Sequence, residues 1–456
     1  MAYWAEHQGG NCLRAISAIA VLTAVPLFAA FTRPAEALPA FAEQTQQPCQ
    51  ACHVGGFGPQ LTPFGRQFKL NGFTLRAGDA FTLPVSAAVI ASFNHTDADQ
   101  PPPPPTHYAL NNNFTIDQVN LFIAGGFFDH FGFFSQYTYD GVGRGIAWDN
   151  QDWRVVDTAT IFDSDVLFGL SVNNAPTIDD AWNTTPGWGF PYTTSSLNPS
   201  PGAGPLIAGG FAGKALGVNA YAWWNSEILA EFGLYFTPGN PFLRTFGASA
   251  DNGWIDGVAP YFRLAYQKDY GDQNFEVGAF GLFPNLRPPG SHGSGPTDDY
   301  ADFGFDASYQ YMGDNSNIYM AQLRFTHEDQ NYGPSLTGGG VSNAHDSLDD
   351  IRLDASYYWH NTLGATIQPF YTWGSRDMLL YAGNRTFRPD STGINFQTDY
   401  TLFPNSDSPL GERFNMRVGI QYTLYTEFNG AASNWDGAGH SASDNNTLRL
   451  FTWIAY

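Results

Sequence analysis

The sequence predicts an all-β fold, an antiparallel β-barrel of about 16 strands preceded by a short helical segment. Three observations point to it. Apolar and polar side chains alternate with a period of two from residue 81 to the last residue. Tight turns alternate with long loops. The composition is rich in glycine and aromatics and poor in charge, with 49 Gly and 16 % aromatic residues against 14 % charged ones in 456. The formal net charge of −22 argues against nucleic acid as a partner, which calls for basic patches, and is compatible with cations.

The chain opens through Arg14 into an apolar stretch, Ala15 to Phe31, followed by small residues that end at Ala35-Glu36-Ala37. This pattern predicts a signal peptide over residues 1–37. About 17 apolar residues broken by Pro26 fall short of the roughly 20 that a spanning helix needs. Cys12 would leave with the signal. A helical segment over 38–80 then leads into the barrel, 81–456.

The alternation holds strand by strand. Met416, Val418, Ile420, Tyr422 and Leu424 share one face against Arg417, Gln421 and Thr423 on the other. Ile351, Leu353, Ala355, Tyr357 and Trp359 do so against Arg352, Asp354, Ser356 and Tyr358, and Phe303, Phe305, Ala307, Tyr309 and Tyr311 against Asp306, Ser308 and Gln310. A soluble sandwich alternates too, so loop length has to separate the two. Tight turns are expected at Asp129-His130, Trp224-Asn225, Asp269 to Asp272, Gly313 to Asn315 and His360 to Thr362, each followed one strand later by a long Gly-, Pro-, Asn- and Asp-rich loop. Outer-membrane barrels place short turns in the periplasm and long loops outside. Parity then requires one more strand between 141 and 173, for which Gln151 to Ile161 with a turn at Phe162 to Ser164 is the candidate. The total becomes an even one of about 16, with both termini periplasmic. The final strand carries Leu448, Leu450, Ile454 and Tyr456 on one face and stops at an aromatic residue.

The leading segment holds Cys49-Gln50-Ala51-Cys52-His53, the C-x-x-C-H signature of covalent haem c attachment. Thiols at i and i+3 suit the two vinyl groups of one porphyrin, and the adjoining imidazole can ligate the iron. A dithiol redox pair or a zinc half-site are the competing readings, but Cys12 is the only other cysteine, so no second thiol pair completes a zinc site. Downstream, Thr62 as N-cap, Pro63 at the first helical position and Gly72 beyond the end bracket a short helix. Phe64 and Phe68, four apart, are expected with Leu61 to cover the porphyrin, and Arg66 and Lys69 to reach haem propionates or lumen acids, or to form a solvated face. A sixth iron ligand is not evident: the nearest methionine is Met312, and His95, His130 and His360 read as rim residues. Outside, Asp97, Asp99, Asp179, Asp180, Asp298 and Asp299 are hard oxygen donors. The pair Asp179 and Asp180 is the first candidate for an external cation site, with ordinary acidic loop surface as the alternative.

The run Cys49 to His53, the Pro59-x-Leu61 pair and Phe64-Gly-Arg-x-Phe-Lys-x-Asn-Gly-Phe73, directly followed by a barrel, resembles the fused monohaem c-type cytochrome–porins of the outer membrane, of the iron-oxidase type. The likeness spans the mature chain in architecture and Cys49 to Phe73 in motif. It implies one covalent haem c at Cys49 and Cys52 with His53 as axial ligand. It also implies electron transfer from an extracellular donor, Fe(II) foremost, to a periplasmic electron carrier, as an Fe(II):cytochrome c oxidoreductase would perform it. Two further readings stay open: a porin whose haem plug gates or stabilises the lumen, and a haem-based sensor or small-molecule enzyme with an open iron site.

Overall fold

The structure, a computed structural model, describes residues 39–456 except 79–81, 102–103, 186–188, 252, 290–294, 314–315 and 412. The signal-peptide reading and Cys12 lie outside the described residues.

Among the described residues, sixteen long antiparallel strands close into a barrel. The first (Val85–Thr96) seals against the last (Thr447–Ala455), with Val89 opposite Ile454 and Phe93 opposite Leu450. Two short strands, Trp254–Ile255 and Asn285–Arg287, pair with each other in the outer loops. The strand required by parity exists as Gly145–Ile161, longer at its start than expected, and turns at Phe162 and Asp163, both with positive φ (50° and 59°). Loop parity has two exceptions. The outer connection after Asp140 is a tight turn, and the periplasmic connection over 402–414 is long because it packs against the leading segment.

The alternation becomes an inside-out protein. Phe305, Leu353, Ile420 and Leu450 are exposed on the outer face, whereas Asp306, Asp354, Arg417 and Arg449 point inward and are buried. Arg66, Arg154, Arg263 and Arg449 are among the largest fully buried side chains, a distribution that a water-solvated protein would reverse. Aromatic pairs ring both ends of the wall: Tyr311 with Tyr319 (6.0 Å) and Tyr319 with Tyr357 (5.1 Å) at the periplasmic rim, Tyr371 with Trp373 (4.6 Å) at the outer one. A closed sheet leaves no backbone edge in lipid, and an apolar band between aromatic girdles matches the bilayer. The chain is an outer-membrane β-barrel.

Its lumen is filled from both ends. The leading segment, with helices α1 (Pro39–Thr45), α2 (Cys49–Cys52) and α3 (Pro63–Leu70), plugs the periplasmic half. Gln44 ties α1 to the chain and the wall, donating to Phe73 O (2.7 Å) and accepting from Gly126 N (2.7 Å). From the other side the longest loop, 174–215, with helix α4 (Pro176–Asp179), folds inward instead of standing outside as the sequence suggested. Arg449 near the closing seam grips both wall and loop, through Asp117 (2.7 Å) and the carbonyl of Thr193 (2.9 Å). Replacing Asp117 by Ala leaves the Arg449 charge buried without its carboxylate, which costs about 3–5 kcal/mol for such pairs. Urea unfolding of the reconstituted barrel should show a loss of that size.

Candidate functional site

The local sequence sets the plug's geometry. Thr62 caps α3, its hydroxyl accepting from Gly65 N (3.1 Å), and Pro63 opens the helix, as read from the sequence. Helix α3 lies directly on the C-x-x-C turn: a Cβ at Gly65 would come within 2.2 Å of Cys52 O, so only glycine allows this approach. Thr62 reinforces the contact by donating to Ala51 O (2.6 Å). His53 bridges to Leu61, and the loop between them is clamped to the wall by Arg417, which donates to Gly55 O (2.8 Å) and to Phe57 O while pairing with Asp399 (3.3 Å). Gly55 has φ of +74° and faces Tyr358 and Arg417 where a Cβ would stand, so it too must be glycine.

Cys52 and His53 open on a cavity of about 570 Å³ between plug and inward loop. That lies within the roughly 300–1,000 Å³ of ligand cavities. Phe57, Leu61 and Phe68 line it from the plug, Phe122 and Phe134 from the wall, and Ile178 and Tyr192 from the inward loop. Burial pulls the His53 imidazole down to about 4, the Gly58 backbone opposing and Arg417 adding to the shift. The ring is therefore neutral at physiological pH, the form that ligates a metal, and its Nδ1 has no hydrogen-bond partner among the described residues. Burial, aided by Cys49, pushes the Cys52 thiol up to about 12. Cys49 is buried, with its Sγ 3.6 Å from Ser406 Oγ of the long periplasmic connection and 3.6 Å from Asn415 Nδ2.

Several expected site residues stand elsewhere. Phe64 does not join Phe68 on the cavity. It lines a separate hollow of about 460 Å³ at the periplasmic mouth, beside Met312 and Asp272, because it sits in the first turn of α3, level with the barrel rim. Arg66 serves the wall, donating to Gln310 Oε1 (2.9 Å) and Asn274 Oδ1 (2.5 Å). Lys69 borders the cavity but spends its ammonium on the carbonyls of Ile178 and Asp180 (2.9 Å) in the inward loop. His95, His130 and His360 do not line the cavity, and among the described residues it presents no methionine and no histidine besides His53.

The external cation site is corrected outright. Asp179 and Asp180 are each only 2 % exposed inside the barrel, because the loop that carries them folds into the lumen. Asp179 pairs with Arg154 (2.7 Å), which also holds Asp152 (2.9 Å), and Asp180 pairs with Arg263 (3.5 Å) while accepting from Thr184 N and Thr185 N (2.9 Å each). Burial opposes ionisation of both, but Arg154 for Asp179 and Arg263 for Asp180, with the hydrogen bonds, hold them below the usual carboxylate range. These acids lock the loop onto the wall instead of facing solvent. The sequence reading missed Arg154 and Arg263 and placed Arg417 on an inward face without a role at the site; the signal is an arginine at an inward position of an alternating strand.

No protein-family model and no curated protein matches the chain. Solved structures similar to it in fold include OmpT of Vibrio cholerae (10 % identity, 83 % of this chain and 98 % of that one, TM-score 0.45). An anion-selective porin from Comamonas acidovorans (13 %, 82 % and 98 %, 0.45) and the outer membrane channel DcaP of Acinetobacter baumannii (10 %, 82 % and 96 %, 0.44) are others. The likeness is one of barrel architecture. The protein is an outer-membrane β-barrel with a C-x-x-C-H plug in its lumen.

Two outcomes follow. Gly65→Val should separate α3 from the C-x-x-C turn and sharply increase proteolysis of the plug, with the barrel's heat-modifiable gel mobility retained. The Asp179 and Asp180 lock depends on depressed carboxylate pKa values, so it is complete above about pH 4 and lost as pH falls further. Bilayer conductance should stay flat from neutrality to that point and rise only below it.

Proposed function

We propose that the chain is an outer-membrane electron-transfer protein that holds one haem c between plug and inward loop, takes electrons from an extracellular donor, Fe(II) foremost, and passes them to a periplasmic electron carrier. The observation that carries this reading is the C-x-x-C-H turn opening on a largely apolar cavity of ligand size. The donor set fits: Cys49 and Cys52 would hold the group by thioethers, and neutral His53 would ligate its iron. Unsatisfied buried polar atoms at His53 Nδ1, Tyr192 Oη and Trp453 Nε1, all on residues lining the cavity, fit an occupant with polar groups of its own. When bound, haem would supply a one-electron carrier in this cavity.

The chain's own residues supply the rest. Arg417 and Gly65 fix the loop and helix around His53. Phe57, Leu61 and Phe68 exclude water from one side, and the inward loop does so from the other. Ferric products of Fe(II) oxidation are poorly soluble near neutrality, so moving the electron and leaving the metal outside keeps them there.

The porin reading has an observation of its own: a wall of porin-like build with a polar inner face. It predicts solute flux past the plug. Purified protein should show a covalent haem by pyridine haemochrome, and Fe(II) added outside proteoliposomes should reduce it, with His53→Gly abolishing electron flow at unchanged barrel content. Solute conductance of an open pore, together with electron flow indifferent to His53, would favour the porin. Reduction by dithionite but by no external donor would sink the electron-transfer assignment.

A further inference from the structure

Opposite the plug, the wall presents two arginines side by side. Arg324 and Arg352 are direct cross-strand partners on the strands Asn317–Asn331 and His345–Trp359, and both line the cavity. Like charges directly opposed on a sheet repel, so each needs a compensating anion. Arg352 has one: its Nε donates to Asp350 (3.1 Å), and its guanidinium lies 5.6 Å over the Phe370 ring. Arg324 has no such contact, only the longer-range attraction of Asp354 and Asp350. Among the described residues it makes no hydrogen bond and no ion pair, its Nε is buried without a partner, and the residue is 7 % exposed. The neighbouring carboxylates are committed, Asp350 to Arg352 and Thr372 (2.7 Å), Asp354 to Gln368.

The inward loop completes the place. Gly189 lies so close that a Cβ there would meet Arg324 Nη1 at 2.0 Å, so the loop backbone shields the guanidinium from bulk water. Tyr192, on the same loop and within electrostatic range of Arg324, has a buried hydroxyl with no hydrogen-bond partner among the described residues. A buried guanidinium left unpaired is costly, and planar donors of this kind match a carboxylate's two oxygens.

We propose that Arg324, with Arg352 beside it and Tyr192 on the loop, is a carboxylate receptor inside the barrel, and that a propionate of the haem held at Cys49, Cys52 and His53 occupies it. This rests on the electron-transfer reading above. It reassigns to the wall the task that the sequence suggested for Arg66 and Lys69 on the plug. A positive charge next to the haem edge favours the reduced state, so the receptor would raise the haem potential.

The test uses the full-length, haem-loaded protein. Arg324→Gln should keep the covalent haem content but lower the midpoint potential and shift the propionate bending bands in resonance Raman, and Arg324→Lys should restore much of both. Tyr192→Phe, which leaves the wall intact, should shift the same bands and serves where Arg324→Gln yields little folded protein. Unchanged potential and bands in haem-loaded Arg324→Gln and Tyr192→Phe would overturn the receptor alone. If instead those stay fixed while the anion selectivity of bilayer currents falls, the carboxylate or other anion comes from a solute in transit and the propionate assignment is wrong. A wild-type protein without covalent haem sinks the underlying reading, an outcome separable from the other two.

Discussion

Everything inside this barrel depends on one electrostatic constraint: a charge brought into the lumen must meet its opposite there. A β-barrel wall puts every second side chain inward, and low-dielectric lipid surrounds it, so unpaired ions in the interior are penalised heavily. Arg154 answers Asp152 and Asp179, and Arg263 answers Asp180, Glu276 and Asp306. Lys69 of the plug fits into the same lattice through the loop carbonyls and Asp152 (3.9 Å). Wall ions such as Arg263 with Glu276 and Asp306 pair among themselves, the loop's Asp179 and Asp180 and the plug's Lys69 join them, and the cavity is the space that wall, loop and plug leave between them.

That constraint explains what could be read from the chain and what could not. The wall was legible because lipid and lumen impose a period of two, and the inward partners Arg352, Asp354 and Arg417 appear where the period puts them. The caps of α3 were legible because Thr62 and Pro63 act on their own neighbours. Phe64 was misplaced since i, i+4 spacing gives a helix face but not the height of that face in the barrel. Asp179 and Asp180 were misplaced for a deeper reason. A loop rich in Gly, Pro and acids looks alike whether it faces water or folds back, and the difference lies in Arg154 and Arg263, distant in sequence and visible only once strands are in register.

The arginines also separate two kinds of interior charge. Arg154, Arg263 and Arg449 each hold a carboxylate at ion-pair distance and serve the fold. Arg324 is also buried, yet among the described residues it forms no ion pair and feels Asp354 and Asp350 only at longer range. Under the proposed reading a haem propionate supplies the close counter-ion that Arg324 lacks.

A solute channel and an electron carrier place opposite demands on a lumen. Solute flux needs a continuous hydrated path, whereas electron transfer needs a rigid, dry site whose entry and exit lie near the two faces. Here plug and inward loop meet across the middle of the barrel, locked by charges that stay ionised well below neutral pH. The C-x-x-C turn lies toward the periplasmic end, packed by Ser406 and Asn361, and the loop with Trp182, Phe190 and Tyr192 lies between the cavity and the outside. Under the proposed reading the outer donor acts across that loop and the periplasmic acceptor across the plug. The closed barrel wall then contributes what a soluble cytochrome lacks, a sealed passage through the membrane around one redox centre.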